Sequence, residues 1–368
     1  MKIGYVLRSL EDSGVTVYVL RLAEAMRQRG HEVFLVSDGG VYEPEVARLG
    51  LRRIPLALCR NPLSSYLAAR RLADVVRRER PDILHANWRR AQLACHLAER
   101  ATGTPFVSTL HLVGVPDSWP YRRLTHWGRL VIAPCTEAVA YPRDRFGVPE
   151  ERIRLIFHGA DPAAWRAPSG EEKGAARKAL GLAADAPVLV CVARLERIKG
   201  HEVLLAALAQ ARRSCPELSL LLVGAGQEEA RLRRLAAESG LAEAVKFLGY
   251  ADPHQALAAA DVFVLASWRE SFGLAPVEAM LSGLALIRTD SEGARDQIVP
   301  GETGRIVARG NVAALAAELI DVARDRAGWL ERGRRAGARA LELFTQERMA
   351  RQVEEVYAEA LRAGPVVR

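Results

Sequence analysis

The chain has 368 residues, 49% of them hydrophobic and 26% charged, with a formal charge of +8. At roughly 150 residues per domain this length predicts two domains with ordinary apolar cores. The composition excludes a disordered chain, a collagen-like repeat and a disulfide miniprotein. No apolar run reaches the ~18 residues of a membrane span. The opening run Ile3–Leu7 stops at Arg8, too early for a signal-peptide core, so a cytosolic chain is expected.

In chain order, Ile3–Leu7 reads as a buried strand. The loop Glu11-Asp12-Ser13-Gly14 follows it, and Val15, Val19, Leu22 and Met26 then recur at helical spacing until Gly30 closes the helix. Glu32–Val36 is the next strand. A helix over 64–79 leads through Pro81 to strand Ile83–His85, Pro105 opens strand Phe106–Leu110 with His111 just beyond it, and strands follow at 130–133 and 153–157. The turn-rich stretch from Asp161-Pro162 to Pro168-Ser169-Gly170 runs into a charged helix over 171–180, which places the domain boundary at 168/169. The pattern then restarts with strands Val188–Ala193, Leu218–Val223, Val245–Leu248, Val262–Ala266 and Ala285–Thr289. A helical tail runs from Thr345 to Leu361. Alternating strands and helices predict parallel sheets covered on both faces, hence an α/β protein of two doubly wound Rossmann-like domains, 1–168 and 169–345, with a helical tail, 346–368.

The charge is uneven. Residues 1–168 hold 25 basic and 17 acidic residues, whereas residues 169–368 hold 27 of each. Arg52, Arg53, Arg60, Arg70, Arg71, Arg77, Arg78 and Arg80 concentrate the excess, which suits an anionic partner: a phospholipid surface, a phosphorylated acceptor or nucleic acid. The cysteines (Cys59, Cys95, Cys135, Cys191, Cys215) form no C-x-x-C and read as small apolar residues rather than zinc ligands or disulfides.

Open parallel sheets bind ligands at the carboxyl ends of their strands. In the second half those ends carry Arg194…Lys199-Gly200, Gly224-Ala225-Gly226, Gly249-Tyr250, Trp268-Arg269-Glu270-Ser271-Phe272-Gly273 and Asp290. Cations, glycine turns and carboxylates on one edge suit a phosphorylated, hydroxylated ligand. Arg194 and Lys199 are the candidate diphosphate clamp. Lys199 is informative because the chain has five lysines against 47 arginines. Glu270 and Glu278 form an E-x7-E, and Pro276 places Glu278 in the first turn of the next helix, with the amides of Ser271, Phe272, Gly273 and Leu274 directed at the ligand edge. No G-x-G-x-x-G opens the chain, and it contains no P-loop, no H-E-x-x-H and no metal-chelating D-x-D.

With these motifs, Glu270-Ser271-Phe272-Gly273-Leu274, Glu278-Ala279-Met280, Gly283 and Gly301-Glu302-Thr303-Gly304, the chain resembles the retaining glycosyltransferases of family 4 over nearly its whole length. The resemblance implies the GT-B fold, two Rossmann-like domains facing each other across a cleft, with the tail helix returning to the first domain. It implies that Arg194 and Lys199 bind the donor diphosphate, Glu270 and the amides after it the transferred sugar, and Glu278 the ribose. Gly14, Gly224 and Gly249 would let backbone approach the donor, and His111 corresponds to the family's strand-end histidine beside the sugar. His85, His158 and His201 are expected to be structural. Departures are Ser13-Gly14, Ala285, Glu292-Gly293, Asp296 and His158-Gly159, which stand where the family usually has Gly-Gly, Pro, Gly-Gly, Glu and Asn-Gly.

The expected activity is a metal-independent, retaining transfer of a hexose from a nucleoside diphosphate sugar, a UDP-sugar in preference to a GDP-sugar, with no separate cofactor. The expected acceptor is a glycan or glycolipid of envelope polysaccharide or lipopolysaccharide synthesis, with the basic first domain on an anionic membrane face. A nucleotide-sugar epimerase of the same fold is the alternative. A nucleic-acid-binding protein leaves Glu270 and Glu278 unexplained, so no nucleic-acid partner is expected.

Overall fold

The computed structural model describes residues 1–58, 62–112 and 118–363. The chain divides into two compact units, Met1–Gly159 together with the segment from Gln346, and Ala160–Thr345.

Among the described residues the first unit holds seven strands, β1 (Lys2–Val6), β2 (Glu32–Ser37), β3 (Arg52–Pro55), β4 (Ile83–Ala86), β5 (Phe106–Thr109), β6 (Val131–Ala133) and β7 (Ile153–Leu155). They form one parallel sheet in the order β3-β2-β1-β4-β5-β6-β7. The second unit holds β8 (Val188–Val192), β9 (Ser219–Val223), β10 (Val245–Gly249), β11 (Val262–Leu265), β12 (Ala285–Thr289) and β13 (Gly304–Val307). These pair in parallel as β10-β9-β8-β11-β12-β13. Helices cover both faces, so the strands read as continuous apolar runs: Leu189, Val190, Leu220, Leu221, Val262 and Val264 are all fully buried. In each sheet the strand order reverses once, between β1 and β4 and between β8 and β11, and such switch points open a crevice at the carboxyl ends.

The short strands β3 and β13 were not anticipated. Their partly exposed arginines, Arg52, Arg53 and Arg305, hide the apolar signal of edge strands. The first boundary lies nine residues before the expected 168/169, after Gly159. The turn-rich stretch is not a linker: Ala160 N–H donates to the Phe344 carbonyl (3.0 Å) and the Trp165 ring stacks on His254 at 3.9 Å, which fastens 160–169 to the second unit. The tail helix, Gln346–Arg362, packs with the first unit, where Glu354 accepts from Arg29 (2.8 Å) and the Tyr357 hydroxyl is 2.7 Å from His85 Nδ1.

The helix Pro62–Glu79 buries Ala68, Ala69, Leu72, Ala73, Val75 and Val76, while Arg70, Arg71, Arg77 and Arg78 face outward. Leu67, on the same helix, is 48% exposed beside Tyr66. Cys95, Cys135, Cys191 and Cys215 are buried and none is in a disulfide among the described residues; Cys59 and Arg60 lie outside the described residues. Among the described residues no helix is long and apolar enough to cross a membrane.

Candidate functional site

In the second unit, Lys199 follows β8 and Glu270 follows β11, the two strands that flank the switch point. Their side chains meet: Lys199 Nζ donates to Glu270 Oε2 at 2.7 Å, with only 17% and 13% of the two side chains exposed. The meeting is built by the backbone. Gly200 has φ +65°, and a Cβ there would collide with the Ala266 carbonyl oxygen, so only glycine lets the two strand-end loops approach this closely. Trp268 N–H then donates to the Ile198 carbonyl (2.9 Å) and ties the loops together. Burial pushes the Glu270 carboxyl up. The Lys199 ammonium outweighs it, helped by the Arg288 guanidinium and the Ser271 N–H, and the net value lies below the ordinary carboxylate range. The result is an ionised carboxylate and an ammonium side by side, partly screened from water.

The rest of the edge departs from expectation in detail. Arg194 follows β8, but its guanidinium turns to Glu196 (2.6 Å) and is 46% exposed, so the two cations of the expected clamp bond different carboxylates. Its main chain is held: His201 Nε2 donates to the Arg194 carbonyl (3.1 Å) and Leu195 N–H to the Ala225 carbonyl (2.9 Å). Gly224 (φ +137°) is required because a Cβ would strike the Ala193 carbonyl oxygen, so this glycine answers to the fold. Gly249 (φ +68°) and Gly14 would put a Cβ into open space. Gly14 opens the helix Gly14–Gln28, whose N-cap Ser13 accepts from Thr16 N–H (3.2 Å). Glu278 is buried and is the fifth residue of the helix Leu274–Leu281, one step beyond the first turn predicted from Pro276. Ser271 N–H bends back to Glu270 Oε1 (3.3 Å) rather than toward the ligand edge, and Glu270 N–H donates to Glu292 Oε2 (3.3 Å). Asp290 is engaged by Arg309, which donates to it from its backbone N–H (3.1 Å) and Nε (3.3 Å).

In the first unit, His111 lies just beyond β5 and Asn87 just beyond β4. Asn87 Nδ2 donates to the His85 carbonyl (3.1 Å), which can only accept, so Asn87 Oδ1 is the atom 3.0 Å from His111 Nε2. His111 is therefore protonated on Nε2 and keeps Nδ1 as an acceptor. Burial holds its pKa well below the usual histidine value, with His158 and His85 adding to the effect, so the ring is neutral at pH 7. Tyr18 packs edge-on against it at 4.9 Å, and His158 lies at 5.7 Å. His85 and His158 are themselves buried, and burial pulls both down to about 3.

The comparisons with known proteins follow the same division. Residues 13–164 match the model described as Glycosyltransferase Family 4, and residues 172–342 match Glycosyl transferases group 1. A phosphatidyl-myo-inositol mannosyltransferase of Mycobacterium leprae is 30% identical over 100% of this chain and 99% of its own length. A 2-deoxystreptamine N-acetyl-D-glucosaminyltransferase of Streptomyces fradiae is 30% identical, covering 85% of this chain and 83% of its own. The chain belongs to the family 4 glycosyltransferases. Among solved structures, Anabaena HepE in complex with UDP superposes with a TM-score of 0.87 at 23% identity, covering 98% of this chain and 100% of that one, which shows the GT-B fold.

In this glycosyltransferase the first glutamate of the E-x7-E and the lysine singled out in the sequence meet at one strand-end edge. Around them stand residues to which no motif gave a role: Asn87 and Tyr18 by His111, His201 bonded to the Arg194 loop, and Glu292, Arg288 and Gln297 bonded to the Glu270 loop. None lies in a recognisable spacing. The one available signal was Glu292, which stands in place of an expected glycine.

Proposed function

We propose that this glycosyltransferase moves a hexose from a UDP-sugar, with retention and without a metal ion, to a hydroxyl of a glycan or lipid-linked acceptor in envelope polysaccharide or lipopolysaccharide assembly. The observation that carries the donor reading is the Lys199–Glu270 pair at the switch point of the second sheet. A cation there would neutralise the leaving diphosphate, a task otherwise given to a metal ion, and Glu270 would accept from sugar hydroxyls. Glu270 is a poor nucleophile, because its oxygens are occupied by Lys199 and the Ser271 N–H. The departing phosphate oxygen would take the acceptor proton on the same face. The solved HepE structures with UDP and with UDP-glucose support a uridine donor.

The acceptor reading rests on the first unit. Arg70 and Arg71 are exposed with no carboxylate within 4 Å among the described residues, beside Tyr66 and Leu67, which are 52% and 48% exposed. Arg77 and Arg78 are partly neutralised by Asp74 (2.7 Å) and Glu79 (3.2 Å). Such a helix suits an anionic leaflet, at about 1 kcal/mol per basic residue near the surface. Vesicle co-sedimentation tests it. Equal binding to anionic and neutral vesicles, or no effect of charge reversal at Arg70 and Arg71, refutes it. The donor reading is tested by thermal protection and turnover with a panel of nucleoside diphosphate sugars in the presence of EDTA. UDP-sugars should protect best, and the rate should stay within about a factor of two. Loss of activity restored by Mg²⁺ or Mn²⁺ refutes the metal-free reading. Consumption of the donor with inversion at a ring carbon and no acceptor product points to an epimerase instead.

A further inference from the structure

Arg288 lies on β12 with no exposure to solvent, and Gln297, in the short helix Ala294–Gln297, is equally buried. Burying a guanidinium costs several kcal/mol before any hydrogen bond is made, and a position needed only to fill the core would hold an apolar residue. The two side chains bond each other through Arg288 Nη1 and Gln297 Oε1. Donors from both side chains converge on one loop. Arg288 Nη1 donates to the Phe272 carbonyl (3.1 Å), and Gln297 Nε2 donates to the carbonyls of Phe272 (3.0 Å) and Gly273 (3.2 Å). The second arm of the guanidinium, Nη2, donates to Ser291 Oγ (3.3 Å) and the Glu292 carbonyl (3.2 Å), which anchors it to the turn after β12. Gly293, at φ +75°, lets that turn press against Phe272, since a Cβ would sit 3.0 Å from the Phe272 Cα.

The consequence follows from peptide geometry. Among the described residues no peptide bond is cis, so each carbonyl points opposite to the N–H of the next residue. With the Phe272 and Gly273 carbonyls drawn inward, the N–H groups of Gly273 and Leu274 are turned outward. These residues are the N-cap and first residue of the helix Leu274–Leu281, so neither N–H has an intrahelical acceptor. Gly273 permits the arrangement through its φ of +83°.

We propose that Arg288 and Gln297 are positioning residues for sugar transfer: they pin the Phe272 and Gly273 carbonyls from below and thereby hold the Gly273 and Leu274 N–H groups ready to donate to oxygens of the transferred sugar. The inference rests on the donor reading given above. The guanidinium charge also favours the ionised form of Glu270, so one buried residue conditions both the amides and the carboxylate of the loop.

The test compares the full-length wild type with Gln297→Leu and Arg288→Met. Three quantities are read: Kd for UDP alone, the gain in affinity and kcat when the best UDP-sugar replaces UDP, and hydrogen exchange at the Gly273 and Leu274 amides. In both variants UDP should bind within about threefold of wild type, while the sugar-dependent gain is lost and kcat falls at least ~10-fold, as misplaced donors predict. Amide exchange of the two residues should accelerate. Gln297→Leu keeps the Arg288–Phe272 bond, so it remains informative if Arg288→Met does not fold. Variants that melt earlier but keep the wild-type sugar gain and kcat overturn the proposal, as does unchanged exchange at the two amides. A wild type that gains nothing from any sugar over its nucleotide overturns the donor reading itself. The exchange measurement still separates that failure from a failure of the pinning.

Discussion

Replacing Lys199 by methionine keeps most of the side-chain volume and removes the charge that faces Glu270 at 2.7 Å. Two effects follow, and each has a sign. The carboxylate stays largely shielded from water, with 13% of its side chain exposed, but has lost its principal counter-charge. Breaking a fully buried pair from one side costs about 3–5 kcal/mol, and the residual exposure of this pair places the expected loss near the lower end, ~3 kcal/mol. In a double-mutant cycle with Glu270→Gln the coupling should be about 1–3 kcal/mol. The second effect is on pH dependence. In the wild type the Glu270 value is depressed below 4.5, so its contribution to stability is full at neutral pH and is lost as the pH falls through the depressed value. Without Lys199, burial is far less opposed, the carboxyl rises, and the cost of ionising it grows with pH. The deficit of Lys199→Met relative to wild type should therefore be largest at pH 7 and shrink toward pH 5. Urea unfolding at the two pH values measures it, and nucleoside diphosphate release measures the loss of turnover, at least ~100-fold for a preorganised charge donor. A coupling below about 0.5 kcal/mol together with a pH-independent deficit refutes the electrostatic account of this pair.

Arg194 offers a contrast: its side chain is engaged with Glu196 at the surface, so Arg194→Ala should leave the unfolding midpoint unchanged and still cut turnover ~100-fold if the residue joins Lys199 on the diphosphate; wild-type kcat removes it from the clamp. Gly200→Ala should lower both stability, by about 1–3 kcal/mol, and turnover, because the loops that bring Lys199 to Glu270 must part around the Ala266 carbonyl; calorimetry and kinetics together check this, and a fully active variant contradicts it. Asp261 is 3% exposed and accepts from Lys173 (2.8 Å), Arg177 (2.7 Å) and the Val188 N–H (2.9 Å), so Asp261→Asn should cost about 3–5 kcal/mol in urea unfolding by leaving Arg177 buried without its anion. Although burial pushes the Asp261 carboxyl up, the cations hold it below 3.8, so its contribution should persist at neutral pH and vanish only in acid; a loss under 1 kcal/mol contradicts this. Asn87→Asp would set a carboxylate against His111 Nε2 and raise its pKa, moving the acid limb of the rate profile upward, whereas an unchanged profile shows that Asn87 does not govern the His111 tautomer.

The apolar strand runs, the helix that Gly30 closes and the glycine turns at strand ends were legible because each is a local rule: burial on two faces, helical period, or a positive φ. From them came the two doubly wound units, the edge on which chemistry would gather, and Lys199 and Glu270 as candidates, whereas His111 was marked by the family resemblance. What the linear order could not determine is which of these meet. Lys199 finds Glu270 because β8 and β11 flank the switch point and Gly200 lets their loops touch, a contact 71 residues apart in the chain. Arg194, two residues past the end of β8, bonds Glu196 instead. The boundary after Gly159 was set by Trp165 and Ala160 packing on the second unit, although the turn-rich stretch reads as a linker. Arg288 and Gln297 carry no motif at all, since a buried polar residue announces itself only when the groups it must satisfy are in place around it. Periodicity and turn chemistry are written in neighbouring residues. Charge pairing, tautomer and the direction of an amide depend on distances that exist only after the sheet has closed and water has been removed from between its loops.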